Sequence, residues 1–143
     1  MSIFGKLVTL FRGTAHEAGE KIVDAKALTI LDQEIRDAAT QLDRSKVDLA
    51  RLMGQSKLSE NEIGARDRKI AEYSRYIEGA LAKGDEALAL QVAEKMAPLE
   101  TEQNAARESK GHLDQSIATL RATVSKTESR LEQMRAQGDQ GEA

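Results

Sequence analysis

A spacing of seven residues governs this chain. Stepping from Leu28 reaches Ile35, Leu42, Leu49, Ser56, Ile63, Ile70 and Ile77. A companion row three residues on reads Leu31, Ala38, Ser45, Leu52, Ser59, Arg66, Tyr73 and Ala80. The rhythm breaks at Lys83-Gly84-Asp85 and restarts as Val92, Leu99, Ala106, Leu113, Leu120, Thr127 and Met134, flanked by Met96, Gln103, Lys110, Ile117, Val124 and Leu131. An apolar repeat of seven carried this far marks helices that wind on a partner along a narrow seam. Gly84 suits the left-handed residue that ends one helix, and Asp85 suits the cap of the next. Two long helices joined by so short a link must fold back on one another.

The expected fold is therefore all-α: a long antiparallel two-helix coiled-coil hairpin preceded by a short amphipathic N-terminal helix. Its seam is predicted at Leu28, Ile35, Leu42, Leu49, Ile63, Ile70 and Ile77 on one arm and Val92, Leu99, Leu113, Leu120 and Leu131 on the other, with Gly84 and Asp85 at the tip. Residues 1–23 read as the amphipathic helix and a hinge, 24–137 as the hairpin with arms at about 24–82 and 86–137, and 138–143 as a disordered tail.

The rows also predict a register. If Ile77 faces Val92, residues that face each other have numbers summing to about 169. Base and tip layers such as Ile35/Met134 and Ile70/Leu99 are then apolar, whereas Arg66/Gln103, Ser59/Lys110 and Ser56/Leu113 make the middle polar or small. Each well-buried Leu or Ile contributes about 1.5–3 kcal/mol, so this stretch should be the soft part of the seam. Polar seam residues specify register at a cost in stability; the competing reading is a face used by another molecule or a bend. Pro98 lacks an N–H and crowds the carbonyl of Glu94, which predicts a kink in the second arm.

Composition narrows the chemistry. In 143 residues there is no Trp, one Pro and no Cys, aromatics make up 3%, and 31% of residues are charged. That balance fits a helical protein whose dry zone is a seam. A two-helix hairpin encloses no volume to wall off a small molecule. His16 and His112 lie on different elements with no metal-spaced neighbours, and no phosphate loop is present. No catalytic residue, metal or cofactor is expected, and the chain does not read as an enzyme. The net charge of -3, with acids and bases interleaved, gives no general attraction to nucleic acid. No apolar run approaches the roughly 20 residues needed to span a bilayer. The first residues also lack the pattern of a signal peptide, so a cytoplasmic location is expected.

The N-terminal stretch differs from the rest. Both Phe residues sit there; Phe4, Leu7, Val8 and Phe11 follow one helical face with Ile3 on its border, and Lys6 and Arg12 make it locally basic. Eleven helical residues measure only about 16 Å, too short to cross a membrane. Such a segment can lie on an anionic surface, apolar side inward and cations toward the head groups. The alternative is packing against the hairpin base or a neighbouring copy.

Three blocks carry a family resemblance. Met1-Ser2-Ile3-Phe4 with its amphipathic continuation, the run Leu31-Asp32-Gln33-Glu34-Ile35-Arg36-Asp37-Ala38, and Ala80-Leu81-Ala82-Lys83-Gly84-Asp85-Glu86-Ala87-Leu88-Ala89 resemble, in order and distance, the phage shock protein A family. That family includes the vesicle-inducing protein in plastids and belongs to the ESCRT-III-like superfamily. The resemblance implies a membrane-stress scaffold, peripheral to the inner membrane, that binds anionic phospholipid surfaces and forms homo-oligomers through side-by-side hairpins. It would place Ile3, Phe4, Leu7, Val8 and Phe11 in the bilayer and Lys6 and Arg12 at the head groups. An alternative implied role is a regulator that binds and inhibits a AAA+ transcription activator; the blandest is a passive spacer. Two departures stand out. Family members commonly carry Asp-Pro before the long arm, where Asp24 is followed here by Ala25, which implies a straighter joint. They also continue into further helices that clasp neighbouring hairpins, so this sequence reads as a fragment or a truncated relative.

Overall fold

The computed structural model describes residues 25–142. They form two long helices, α1 (Ala25–Ala82) and α2 (Glu86–Glu142), in an antiparallel coiled coil. The expected N-terminal helix lies outside the described residues. α2 is continuous through Pro98. It also extends to Glu142, beyond the end expected at residue 137.

The chain reverses in three residues. The main-chain N–H of Asp85 donates to the Ala80 carbonyl at 2.8 Å and that of Gly84 to the Leu81 carbonyl at 3.0 Å. These are the two bonds of a Schellman ending, which needs a left-handed residue between them; Gly84 supplies it with φ of 75°. Asp85 then opens α2. Its side-chain oxygen accepts from the Leu88 N–H at 3.1 Å and its carbonyl from the Ala89 N–H at 3.1 Å. Both orphaned helix ends are thereby satisfied by neighbouring residues.

The chain divides into two compact units, one containing residues 25–49 and 120–142 and the other residues 50–119. In the first, Ile35, Ala38 and Leu42 of α1 are buried in one apolar cluster with Val124, Leu131 and Met134 of α2. Leu31, Ala39 and Leu120 pack against it. Lys46 and Glu128 form an ion pair on its flank.

The second unit is packed differently. Its buried apolar residues are Ala80, Ala89 and Ile117, and its buried polar residue is Gln103. Ile63, Ile70, Ile77, Val92, Leu99 and Leu113 are half-buried, as expected of a two-stranded seam with water along both sides. Gly54, Gly79 and Gly111 lie on exposed helical surface, and a Cβ built at any of them meets nothing within 4 Å. Each lowers helix propensity by about 1 kcal/mol relative to Ala. Packing within the chain does not require glycine there.

Candidate functional surfaces

The polar middle of the seam is filled by hydrogen bonds. Gln103 is 3% exposed. Its amide nitrogen donates to the Ile63 carbonyl and to Asp67 Oδ1, both at 2.7 Å, and its Oε1 accepts from Arg66 at 2.8 Å. Arg107 crosses from α2 to hold both oxygens of Asp67 at 2.6 and 2.7 Å. Arg66 also reaches Glu102 at 3.5 Å. Because burial makes an unpaired amide expensive, it is the completeness of this set that makes a buried Gln tolerable. No buried side-chain polar atom among the described residues lacks a partner.

A second polar layer lies further from the turn. Ser56 donates to Asp114 Oδ1 at 2.6 Å, and Lys110 of the same helix holds Asp114 Oδ2 at 2.7 Å. The Arg66/Gln103 layer expected from the heptad rows is thus a direct contact, whereas Ser56 reaches Asp114, one residue beyond the predicted partner Leu113.

These contacts set the local electrostatics. Asp67 is held below the usual carboxylate range, first by the Gln103 hydrogen bond and then by Arg107. Asp114 is lowered by Lys110 and Ser56, and Lys110 is raised in turn by Asp114. In the other unit, the hydrogen bond to Glu128 raises Lys46. Tyr76 is raised by its hydrogen bond to Glu72, 2.9 Å away on the same helix.

Several large apolar side chains of residues 50–119 face solvent: Leu58, Tyr76, Leu81, Leu88 and Leu90, between 46% and 64% exposed. Three of them, Leu81, Leu88 and Leu90, lie within two turns of Gly84 in sequence. Single exposed apolar residues are ordinary on a protein surface, but a group flanking a turn is a surface that a protein partner could use. In the unit containing residues 25–49, a groove beside the seam is lined by Asp37, Gln41, Ser45, Lys126, Thr127 and Arg130. It is a furrow between two helices rather than an enclosed cavity. Among the described residues no group of acids and histidines is arranged to hold a metal ion. No helix among them is long and apolar enough to cross a membrane.

The predicted seam residues divide by burial. Ile35, Leu42 and Leu131 are buried; Leu28, Leu49, Ile63, Ile70, Ile77, Val92, Leu99, Leu113 and Leu120 are half-buried. Gly84 and Asp85 occupy the turn. The predicted membrane-contacting residues Ile3, Phe4, Lys6, Leu7, Val8, Phe11 and Arg12 lie outside the described residues. Sequence reasoning did not single out Asp67, Arg107 or Asp114. The sole signal available was their position, since each borders the seam where the rows turn polar.

Comparison with known proteins is informative over nearly the whole length. The chain is 29% identical over 138 residues to the uncharacterized protein YjfJ of Escherichia coli strain K12, covering 96% of this chain and 60% of that one. It is also 29% identical over 143 residues to a phage shock protein A homolog of Deinococcus radiodurans, covering 100% of this chain and 60% of the relative. The chain therefore spans well under two thirds of the length of these relatives. No solved structure matches it. The model of the PspA/IM30 family matches residues 2–140, from the basic N-terminal stretch through both arms of the coiled coil, and the chain belongs to that family.

Proposed function

We propose that this chain is a membrane-stress scaffold, which binds anionic membrane surfaces from the cytoplasmic side and self-associates to maintain or remodel the inner membrane. The observation that carries this reading is the family match, which takes in the N-terminal stretch as well as both helices. Physical argument supports it. One short basic amphipathic segment binds weakly, each cation near an anionic leaflet contributing about 1 kcal/mol. Attachment then depends on many copies presenting many segments, which couples self-association to membrane binding through avidity. Co-sedimentation with anionic vesicles tests it, comparing the chain with a Phe4→Glu/Phe11→Glu variant. Pelleting of the parent and loss of pelleting in the variant is expected; equal pelleting by both ends the proposal.

The exposed Leu81 and Leu88 beside the turn favour a second reading, a regulator that docks on a AAA+ transcription activator. In that case Leu81→Glu/Leu88→Glu abolishes inhibition of the activator's ATPase with no lipid present, and the Phe4/Phe11 variant inhibits normally.

A further inference from the structure

The turn at Gly84 sits on a centre of sequence symmetry. Across the seam Arg66 meets Gln103, and their numbers sum to 169. The same sum pairs Ala80 with Ala89, each 5% exposed, in the buried layer nearest the turn. Carried further inward, it pairs Leu81 with Leu88, Lys83 with Glu86 and Gly84 with Asp85. Leucine is thus matched to leucine and a cation to an anion. The hairpin does not seal the two leucines: Leu81 is 55% exposed and Leu88 46%.

The reversal itself depends on two residues. From Ala80 to Gln91 every residue other than Gly84 and Asp85 is Ala, Leu, Lys, Glu or Gln, all strong helix formers. The left-handed Gly84 and the Asp85 cap interrupt them. If α1 ran on through Gly84, then Ile77, Leu81, Gly84, Leu88 and Val92 would be spaced by four, three, four and four residues and fall in one stripe. The two exposed leucines would then belong to the seam.

We propose that Gly84 is a hinge and that the chain also folds as a domain-swapped dimer. In it α1 and α2 join into one helix, and two copies zip antiparallel, α1 of each on α2 of the other. Every seam contact of the hairpin is kept but made between copies, Arg66 with Gln103 included. The difference is confined to the two-fold axis, where Leu81 of each copy meets Leu88 of the other and Lys83 meets Glu86. The register that sets the hairpin is what brings these leucines together, so a second copy of this chain is their occupant. The contact is isologous and closes at two copies. Because both forms share one seam, the balance is set by the turn motif against two leucine pairs, and by concentration. Short links between paired elements are where such exchange arises. The swap goes beyond the membrane-surface reading and does not depend on it.

The chain has no cysteine, so a disulfide across the seam reports which copy supplies each helix. Ile63→Cys/Ala106→Cys, at positions that face each other in the same register, is unfolded, refolded at a series of concentrations and then oxidised. The hairpin gives a disulfide within one chain, and so do hairpins that merely associate; the swapped dimer gives two chains joined covalently. Non-reducing electrophoresis should show a covalent dimer whose share rises with refolding concentration. Adding Gly84→Ala, which penalises the left-handed turn and favours a continuous helix, should lower the concentration at which the dimer appears by about hundredfold or more. Adding Leu81→Glu/Leu88→Glu should leave hairpin melting unchanged, since both positions are exposed there, and suppress the dimer by about tenfold or more. Disulfides within single chains alone, in the parent and in Gly84→Ala at every concentration, overturn the proposal. So does a Glu variant that dimerises as the parent does. None of these outcomes involves Phe4 or Phe11, so vesicle binding stands or falls separately.

Discussion

Gln103 of α2 donates its side-chain amide to the main-chain carbonyl of Ile63 on α1, 2.7 Å across the seam. A helix carbonyl already bonded within its own helix has a second lone pair, and here a side chain from the other arm takes it. The contact is specific in a way that apolar packing is not: sliding the helices would take the amide away from Arg66 and Asp67, which complete its hydrogen bonds.

Truncating this residue should therefore be more harmful than replacing it with hydrocarbon. Gln103→Ala leaves Arg66 without its best partner and opens space beside Asp67, and should destabilise the chain by about 1–3 kcal/mol. Replacing the layer with Arg66→Leu/Gln103→Leu should be neutral or stabilising, because an apolar pair of matched shape avoids the desolvation of buried polar groups. Urea unfolding followed by circular dichroism measures both. Equal losses in the two variants would show that the polar set contributes no specificity.

The turn gives a second prediction. Gly84→Ala forces a Cβ into the left-handed region at φ of 75° and should cost about 1–2 kcal/mol. Asp85→Ala removes the acceptor for the Leu88 N–H and should cost about 1 kcal/mol. The two act on adjacent residues of one motif, so the double variant is expected to lose less than the sum of the single losses.

Stability should follow pH in a defined way. The folded chain lowers Asp67 and Asp114, so each contributes stability that is complete above the ordinary aspartate range and is lost as pH falls through the depressed folded value, below about pH 4. Lys46 and Lys110 are raised, so their contribution is complete below the ordinary lysine value and disappears as pH climbs past it, above about pH 10. Melting temperature should be flat between these limits and fall on both sides. Asp67→Asn should make the acid limb shallower, and a limb of unchanged steepness would exclude Asp67 as a contributor.

Pro98 sits within α2 with no N–H to give to the Glu94 carbonyl. Pro98→Ala restores that bond and should raise stability by up to about 3 kcal/mol. Guanidinium unfolding reads the shift in midpoint. A midpoint that falls would mean that the proline fits the local helix geometry better than alanine does.

The seam was legible in the sequence because a seven-residue rhythm has one geometric solution. From Leu28 to Ala80 and from Val92 to Met134, the members of both rows are buried or half-buried in the structure. Gly84 was legible for a similar reason, as the glycine in the gap between rows. Partners that reach diagonally, such as Arg107 to Asp67 and Lys46 to Glu128, were not legible, because side-chain reach along a seam depends on rotamers that spacing does not encode. Gly138 and Gly141 argue against helix, and α2 nevertheless extends through both to Glu142. The surface-binding role proposed for Phe4, Leu7, Val8 and Phe11 with Lys6 and Arg12 rests on their spacing alone, and the described residues start after them.

The sparse dry packing of residues 50–119 has a mechanical consequence. A section held by half-wet isoleucines, with one buried glutamine and its ring of charges, should open to solvent before the section in which Ile35, Leu42 and Leu131 are sealed together. Deuterium should enter the amides of the former first. Under load, that portion would yield and re-form before the other, giving one molecule a compliant section and a stiff one.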